Sequence, residues 1–164
     1  NIDRNQIQRF ATCDFITQKD NILITGSTGA GKSYMASAIG HQACSLGFKT
    51  MYFNTSKLFT MLKTSKADGS YLKQVNKIEK QDLLILDDFG LKGLDNINRH
   101  SLMEIIEDRH GKKSTIIASQ LPVEAWHEII GEQTIADAIL DRLVHTAHRI
   151  DIKGESMRKK LKNK

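Results

Sequence analysis

The sequence lacks any apolar run that approaches the roughly 20 residues needed to span a lipid bilayer. It begins at Asn1 with polar residues and has no apolar core of a signal peptide. These two absences predict a soluble, cytoplasmic protein. Because the first residue is not Met, we also expect that an N-terminal segment is missing.

Cysteine is also scarce, with only Cys13 and Cys44 in 164 residues. Their spacing does not fit a metal site, and two cysteines are too few for a disulfide-stabilised secreted scaffold. We therefore expect free thiols in a reducing compartment. The chain also lacks internal repeats and, apart from its last residues, low-complexity segments.

The positive charge is concentrated in two zones. Residues 153–164 carry the whole net charge of +5, so we divide the sequence into a single domain, 1–152, and a basic C-terminal tail, 153–164. Within the domain, residues 57–80 carry six lysines against Asp68 and Glu79, a local net charge of +4. Two basic zones suit a polyanionic partner, although lysine-rich helices are equally typical of solvated faces.

Residues 26–33 match the phosphate-binding loop pattern at every fixed position. An apolar strand pattern precedes them, and Met35 and Ile39 begin a helical stripe that ends near Gly47. Backbone N–H groups of such a loop, together with the positive end of the following helix, attract phosphate groups. The sequence therefore predicts a nucleoside triphosphate site. Its predicted binding residues are Gly26, Ser27, Thr28, Gly29, Ala30, Gly31, Lys32, Ser33 and Tyr34.

Four side chains have predicted roles in the chemistry of this site. Lys32 would reach the β- and γ-phosphates, and Ser33 would ligate Mg²⁺. A third apolar strand ends in paired carboxylates at the sheet edge where ligands bind. We expect Asp87 to complete the Mg²⁺ site and Asp88 to orient or deprotonate the attacking water. The alternative for Asp88 is a turn residue that caps the following loop.

Strand and helix patterns alternate along the whole chain. Ser56 is expected to cap the helix after the second strand, and Leu72 to share the buried face of a lysine-rich helix with Val75 and Ile78. Five strands separated by helices predict a parallel α/β sheet sandwiched by helices. The predicted strands are Asn21–Thr25, Thr50–Phe53, Leu83–Leu86, Thr115–Ala118 and the alternating residues His148, Ile150 and Ile152.

The order of these motifs resembles the IstB family. Members of that family are AAA+ ATPases encoded beside a transposase in insertion sequences, and they are similar to the DnaC-type helicase loaders. The resemblance extends from about Arg4 to Lys159, and it implies an AAA+ P-loop NTPase fold with ATP and Mg²⁺ as cofactors. Because the sequence ends soon after the last strand, we expect no separate helical lid domain. The matching stretches are 26–33, 87–88, 107–111, 114–122 with Trp126, 137–143 and 154–158.

The resemblance also implies roles for residues beyond the phosphate-binding loop. Gln120, with Ser119, matches the sensor I position that reads the γ-phosphate and positions water, whereas strand position alone would not assign it a role. Arg142 matches the arginine finger that reaches the nucleotide of a neighbouring subunit, so hydrolysis would require an oligomer. Arg158 would face the nucleotide or the subunit interface. Many AAA+ proteins have Glu where this sequence has Asp88, but the initiator and loader branch, which it resembles, uses Asp, so the resemblance keeps the role of Asp88.

The function implied by the resemblance is DNA-dependent ATP hydrolysis by a ring or spiral that presents duplex DNA to a transposase. A DnaC-like replicative helicase loader, which acts on single-stranded DNA, is the first alternative. A small-molecule P-loop kinase is a remote alternative. Such kinases usually bring arginines from a lid to the phosphates, whereas the region between the second and third strands is lysine-rich in this sequence. The lysines expected to contact the DNA backbone are Lys57, Lys63, Lys66, Lys73 and Lys77.

Overall fold

The computed structural model describes residues 4–27, 29 and 31–152. Thr28, Ala30, Arg158 and the basic tail therefore lie outside the described residues. The strands are β1 Asn21–Gly26, β2 Thr50–Asn54, β3 Leu83–Asp87, β4 Ser114–Ser119 and β5 Ala147–Ile152. The helices are α1 Arg4–Ala11, α2 Asp14–Thr17, α3 Lys32–Ser45, α4 Thr55–Asp68, α5 Tyr71–Glu79, α6 Asn96–Arg109, α7 Trp126–Ile130 and α8 Gln133–Val144. A short 3₁₀ turn, Val123–Ala125, precedes α7.

The strands form one parallel sheet in the order β2-β3-β4-β1-β5, which confirms the predicted fold class. β3 and β4 are buried at every position because helices cover both faces of the sheet. Successive residues of β3 therefore enter opposite cores. Leu84 and Leu86 pack with α4 to α8, whereas Leu83 and Ile85 pack with α1 to α3.

The parallel arrangement brings the carboxyl ends of the strands to one edge of the sheet. Asn54 lies opposite Asp87 in the register of β2 and β3, and Thr25 lies opposite Ser119 in that of β1 and β4. The segments that follow β1, β3 and β4 therefore leave the sheet side by side. This edge is where ligands bind in open parallel sheets.

Two local predictions are wrong. Ser56 is not the cap of α4, because β2 continues to Asn54, whose side chain accepts a hydrogen bond from the Lys57 amide at 3.2 Å. Leu72 does not share the buried face of α5 and is 71% exposed. Tyr71 takes the inward position instead, since it lies one turn before Val75 and donates a hydrogen bond to Glu104 at 2.9 Å.

Other local predictions are confirmed. Gly47 follows the last residues of α3 in a left-handed conformation, and the amides of Gly47 and Phe48 bond back to Cys44 and Ala43. Within the described part of the chain, both cysteines are free thiols. The same residues include no helix that is long and apolar enough to cross a membrane.

Candidate nucleotide site

The phosphate-binding loop joins β1 to α3, as the sequence predicts. At Gly26 the backbone φ is +155°, and an added Cβ would lie 2.6 Å from the carbonyl oxygen of Ile152 on β5. Gly31, directly before α3, has a φ of 103°. Both positions require glycine, because a side chain would clash at the first and be strained at the second. The glycines therefore set the path of the loop between strand and helix.

Lys32, the charged residue of the loop, is buried, with 6% of its surface exposed. Its ammonium group donates a hydrogen bond to the carbonyl oxygen of Ser27 at 3.0 Å, so the side chain folds back along the loop. Among the described residues, no carboxylate lies within ion-pair distance of this ammonium. A buried cation without a countercharge fits an anionic ligand such as a phosphate. Ser33 and Tyr34, the next two residues, are exposed on the first turn of α3.

Asp87 is the buried anion of the same edge, with 3% of its surface exposed. One carboxylate oxygen accepts a hydrogen bond from the Asp88 amide at 2.9 Å, and the other accepts one from the hydroxyl of Tyr52. No lysine or arginine in the described part of the chain forms an ion pair with it. Hard oxygen ligands of this kind suit Mg²⁺, so Asp87 and Ser33 fit the predicted metal site.

Asp88 has a left-handed backbone with φ of 55°, which costs an L residue of order 1–2 kcal/mol. Residues strained in this way cluster at active sites, but Cys13 and Lys19 have the same backbone conformation outside the site, so the conformation of Asp88 gives only weak support to a functional role. Its carboxylate accepts a hydrogen bond from the Asn54 side chain at 3.1 Å. It also lines a cavity of about 200 Å³ between the start of α4 and residues 90–95. The carboxylate is thus held at the strand edge, with open space beside it for a substrate or water.

Ser119 and Gln120, predicted together as a sensor pair, have different surroundings. Ser119 is fully buried, and its hydroxyl donates to the Phe89 carbonyl at 2.6 Å and accepts from the Leu121 amide at 3.1 Å. It therefore ties the segment after β3 to the segment after β4. Gln120 is exposed at the same edge, so its side chain is the one that can reach a ligand.

Sequence reasoning missed two residues of the site, Tyr52 and Asn54, although both lie on the predicted second strand. Burial and the hydrogen bond to Asp87 raise the pKa of Tyr52 to about 12. Asn54 bonds Asp88 with its amide nitrogen and caps α4 with its amide oxygen. Their alternation on β2, next to the strand that ends in Asp87, is the signal that could have identified them.

Arg142 does not lie with the other predicted site residues. It is near the end of α8, and β5 then begins beside Asn21, the first residue of β1. A six-residue strand spans roughly 17–20 Å, so Arg142 lies near the opposite edge of the sheet from Lys32. Its guanidinium donates to the Ala138 carbonyl at 3.0 Å and pairs with Glu107 at 3.5 Å.

The five lysines predicted to contact DNA are all exposed on α4 and α5. Two of them have partners within the chain, since Lys63 pairs with Asp95 at 2.5 Å and Lys66 lies 4.7 Å from the ring centre of Tyr71. Lys73 and Lys77 are one turn apart on the exposed side of α5. This side of the helix is a basic surface that faces solvent.

Comparison with known sequences gives a consistent result. The profile of the IstB-like ATP binding protein family matches residues 1–164. An insertion sequence ATP-binding protein of Sinorhizobium fredii is 49% identical over 163 residues, which cover 99% of this chain and 66% of that protein. The ATP-binding protein of insertion sequence IS21 from Pseudomonas aeruginosa is 30% identical, with 99% of this chain and 62% of that protein covered. The chain thus spans about two thirds of the length of these relatives.

Solved structures share the fold. The DnaC helicase loader superposes with a TM-score of 0.78 at 23% identity, covering 93% of this chain and 92% of that one. DnaI gives a TM-score of 0.80 at 24% identity, covering 93% and 87%. The replication initiator DnaA, bound to AMPPCP and single-stranded DNA, gives 0.76 at 17% identity, covering 99% and 52%. At identities this low, the superpositions show that the fold is shared and nothing further.

Proposed function

Since the chain belongs to the IstB-like ATP binding protein family, we propose that it hydrolyses ATP with Mg²⁺, assembles on duplex DNA and delivers that DNA to a partner transposase. One observation carries the proposal. Lys32, a buried cation without a countercharge, and Asp87, a buried anion without one, lie at the same edge of the sheet. A magnesium-bound triphosphate supplies the charges that both residues lack.

The residues at this edge of the sheet have different roles in hydrolysis. Lys32 would exchange the Ser27 carbonyl for phosphate oxygens, and Ser33 and Asp87 would hold Mg²⁺, which would supply positive charge against the phosphates. Asp88 orients the attacking water from the rim of its cavity, and exposed Gln120 reads the γ-phosphate from the end of β4. Tyr34, together with the loop residues Thr28 and Ala30 outside the described part of the chain, completes the predicted nucleotide contacts. The resemblance adds Arg158 from the tail.

Hydrolysis requires a second subunit in this proposal, because Arg142 acts on the nucleotide of a neighbour. Its position at the far edge of the sheet supports action in trans, since it lies roughly one strand length, about 17–20 Å, from the chain's own phosphate-binding loop. An arginine finger contributes about 10³–10⁵ in rate. The isolated subunit is therefore nearly inactive.

The DNA path follows the exposed lysines of α4 and α5, and the relatives named above support this partner through their origin in insertion sequences. Contacts of lysines with phosphates are independent of sequence and weaken steeply with salt. A DnaC-like helicase loader is the second candidate, because the fold of this chain superposes on those of DnaC and DnaI with TM-scores of 0.78 and 0.80. A clear preference for single-stranded over duplex DNA would favour it.

Electron microscopy of the chain with ATP, with and without duplex DNA, tests the proposal. We expect a ring or spiral that forms on DNA when ATP is present, and no such particle with Lys32→Ala. A parallel binding assay compares duplex and single-stranded DNA at low and physiological salt. DNA binding that is absent, or that is unaffected by salt, would contradict the lysine assignment.

A further inference from the structure

We propose that Tyr52 is a positioning residue for Asp87. The hydroxyl of Tyr52 orients the Asp87 carboxylate and so sets the affinity of the site for Mg²⁺. The inference rests on the proposed nucleotide function and concerns how the chain prepares its metal site. Tyr52 carries no part of the sequence motifs, and its hydroxyl donates a hydrogen bond to Asp87.

The first support is the way in which Asp87 is held. Its two carboxylate oxygens accept one hydrogen bond each, from the Asp88 amide and from the Tyr52 hydroxyl. The Asp88 amide is next to Asp87 in the chain, so it fixes only one of the two carboxylate oxygens. The Tyr52 hydroxyl holds the other oxygen and so restricts rotation of the carboxylate. Each carboxylate oxygen keeps a further lone pair for a metal ion or its water. Tyr52 therefore determines the direction of those lone pairs.

The second support is the position of Tyr52 between the two elements that supply metal ligands. Ser37, one helical turn after Ser33 on α3, also interacts with the Tyr52 hydroxyl. The hydroxyl thus lies between α3, which begins at the phosphate-binding loop, and the end of β3. Removing it would loosen the relation between Ser33 and Asp87 as well as the orientation of Asp87 itself.

The third support is electrostatic. A buried carboxylate is costly unless hydrogen bonds stabilise its charge, and Asp87 has no cationic partner among the described residues. Tyr52 is the side-chain donor that keeps this anion in place before a cation arrives. Outer partners of metal ligands typically change metal affinity by about 10–100-fold when they are removed.

The test is Tyr52→Phe, which deletes the hydroxyl and keeps the ring. Because the side chain is 46% exposed and Phe keeps the ring, we expect the variant to fold, with a modest loss of stability from the missing hydrogen bond to Asp87. Binding of a fluorescent ATP analogue is measured as Mg²⁺ is titrated, and also in EDTA. We expect the Mg²⁺ concentration for half-maximal enhancement of binding to rise about tenfold, with unchanged affinity in EDTA.

Tyr71→Phe is the matched control, since Tyr71 also donates its hydroxyl to a carboxylate, Glu104, at 2.9 Å. It should leave the Mg²⁺ titration unchanged. The double variant with Asp87→Asn separates positioning from general loosening. If Tyr52 acts through Asp87, adding Tyr52→Phe to Asp87→Asn has no further effect on Mg²⁺ dependence.

The outcomes distinguish the two proposals. An unaltered protein that does not bind the nucleotide would overturn the proposed function, and the role of Tyr52 with it. Normal Mg²⁺-dependent binding with an unshifted Tyr52→Phe titration would overturn the role of Tyr52 alone. The same would follow if Tyr52→Phe shifted the titration equally in the presence and absence of the Asp87 carboxylate.

Discussion

At the scale of single residues, the site is defined by two buried charges of opposite sign that do not neutralise each other. Lys32 contacts a backbone carbonyl, and Asp87 contacts an amide and a phenol. Both groups lose hydration when the chain folds, and neither gains an ion pair among the described residues. This arrangement lowers the stability of the free protein and favours a ligand that carries both charges.

Asp88 is expected to act in turnover and not in binding. We predict that Asp88→Asn binds ATP normally and lowers phosphate release by roughly 10²–10⁴-fold, because the amide cannot accept the proton of water. Lys32→Ala should instead abolish nucleotide binding, and phosphate release with it. Equilibrium binding of a fluorescent analogue and a phosphate-release assay distinguish the two. Full turnover by Asp88→Asn would remove Asp88 from the mechanism.

Sequence reasoning predicted roles for Lys32, Asp87 and Asp88 because each belongs to a short local pattern whose spacing follows from its chemistry, and these roles stay predictions. It missed Tyr52 and Asn54 because their roles arise from contacts between neighbouring strands. Such contacts depend on strand order and register, which periodicity does not specify. The proposed role of Gln120 came from a resemblance and stays a prediction.

At the scale of elements, the junction of β2 and α4 shows what local signals can and cannot specify. Both Asn54 and Ser56 are good helix caps by type. The choice between them depends on where β2 stops, and pairing with β3 extends that strand through Asn54 opposite Asp87. Tertiary pairing therefore overrides the local preference that predicted Ser56.

The cap can be tested by a pair of alanine substitutions. Asn54→Ala should lower the free energy of unfolding by about 1 kcal/mol, because it removes the acceptor of the Lys57 amide. Ser56→Ala, the control two residues later, should change it much less. Urea denaturation followed by circular dichroism measures both. Equal losses would show that Asn54 is not the effective cap.

A second element-scale prediction concerns Asp82, which precedes β3. Burial alone would raise the pKa of its carboxyl, but hydrogen bonds from the Lys49 amide at 2.9 Å and from Lys113 at 3.2 Å outweigh burial and lower it. These contacts join the starts of β2, β3 and β4. A lowered pKa contributes stability above the pKa of the unfolded chain, and this stability is lost as the pH falls through the folded pKa.

We therefore expect Asp82→Asn to flatten the acid limb of the stability curve. The urea midpoint should fall less between about pH 6 and about pH 3 in the variant than in the unaltered protein. Glu128→Gln, which removes an exposed carboxylate from α7, serves as the control and should leave the limb steep. An identical acid limb in Asp82→Asn would mean that these bonds do not stabilise the sheet.

At the scale of the whole molecule, the chain separates its phosphate-binding loop from Arg142 by the length of the sheet. The fold and the strand order explain this separation, since α8 leads into the start of β5 and the loop follows the end of β1. Periodicity predicted the five strands and their parallel direction. It could not predict their order, and so it could not show that Arg142 and Lys32 lie at opposite edges.

Mixing experiments test action in trans. Arg142→Ala and Lys32→Ala should each be nearly inactive alone, whereas a mixture should recover part of the ATPase activity. In mixed pairs, an intact loop from one subunit meets an intact arginine from the other. Arg149→Ala, which removes an exposed arginine of β5 paired with Glu124, serves as the control and should be active without being mixed with a second variant, because its own subunits keep both the loop and Arg142. No recovery at any mixing ratio would argue against the finger.

The placement of Arg142 at the far edge has one more consequence for an assembly built in this way. A donor surface at one side and an acceptor site at the other make every junction head-to-tail, so an open assembly has polarity. Its two ends are then chemically different. One terminal subunit carries a nucleotide that no arginine reaches, and that nucleotide outlives the others. In an open spiral, ATP would therefore be hydrolysed slowly at one end, and subunits would be lost in a defined direction.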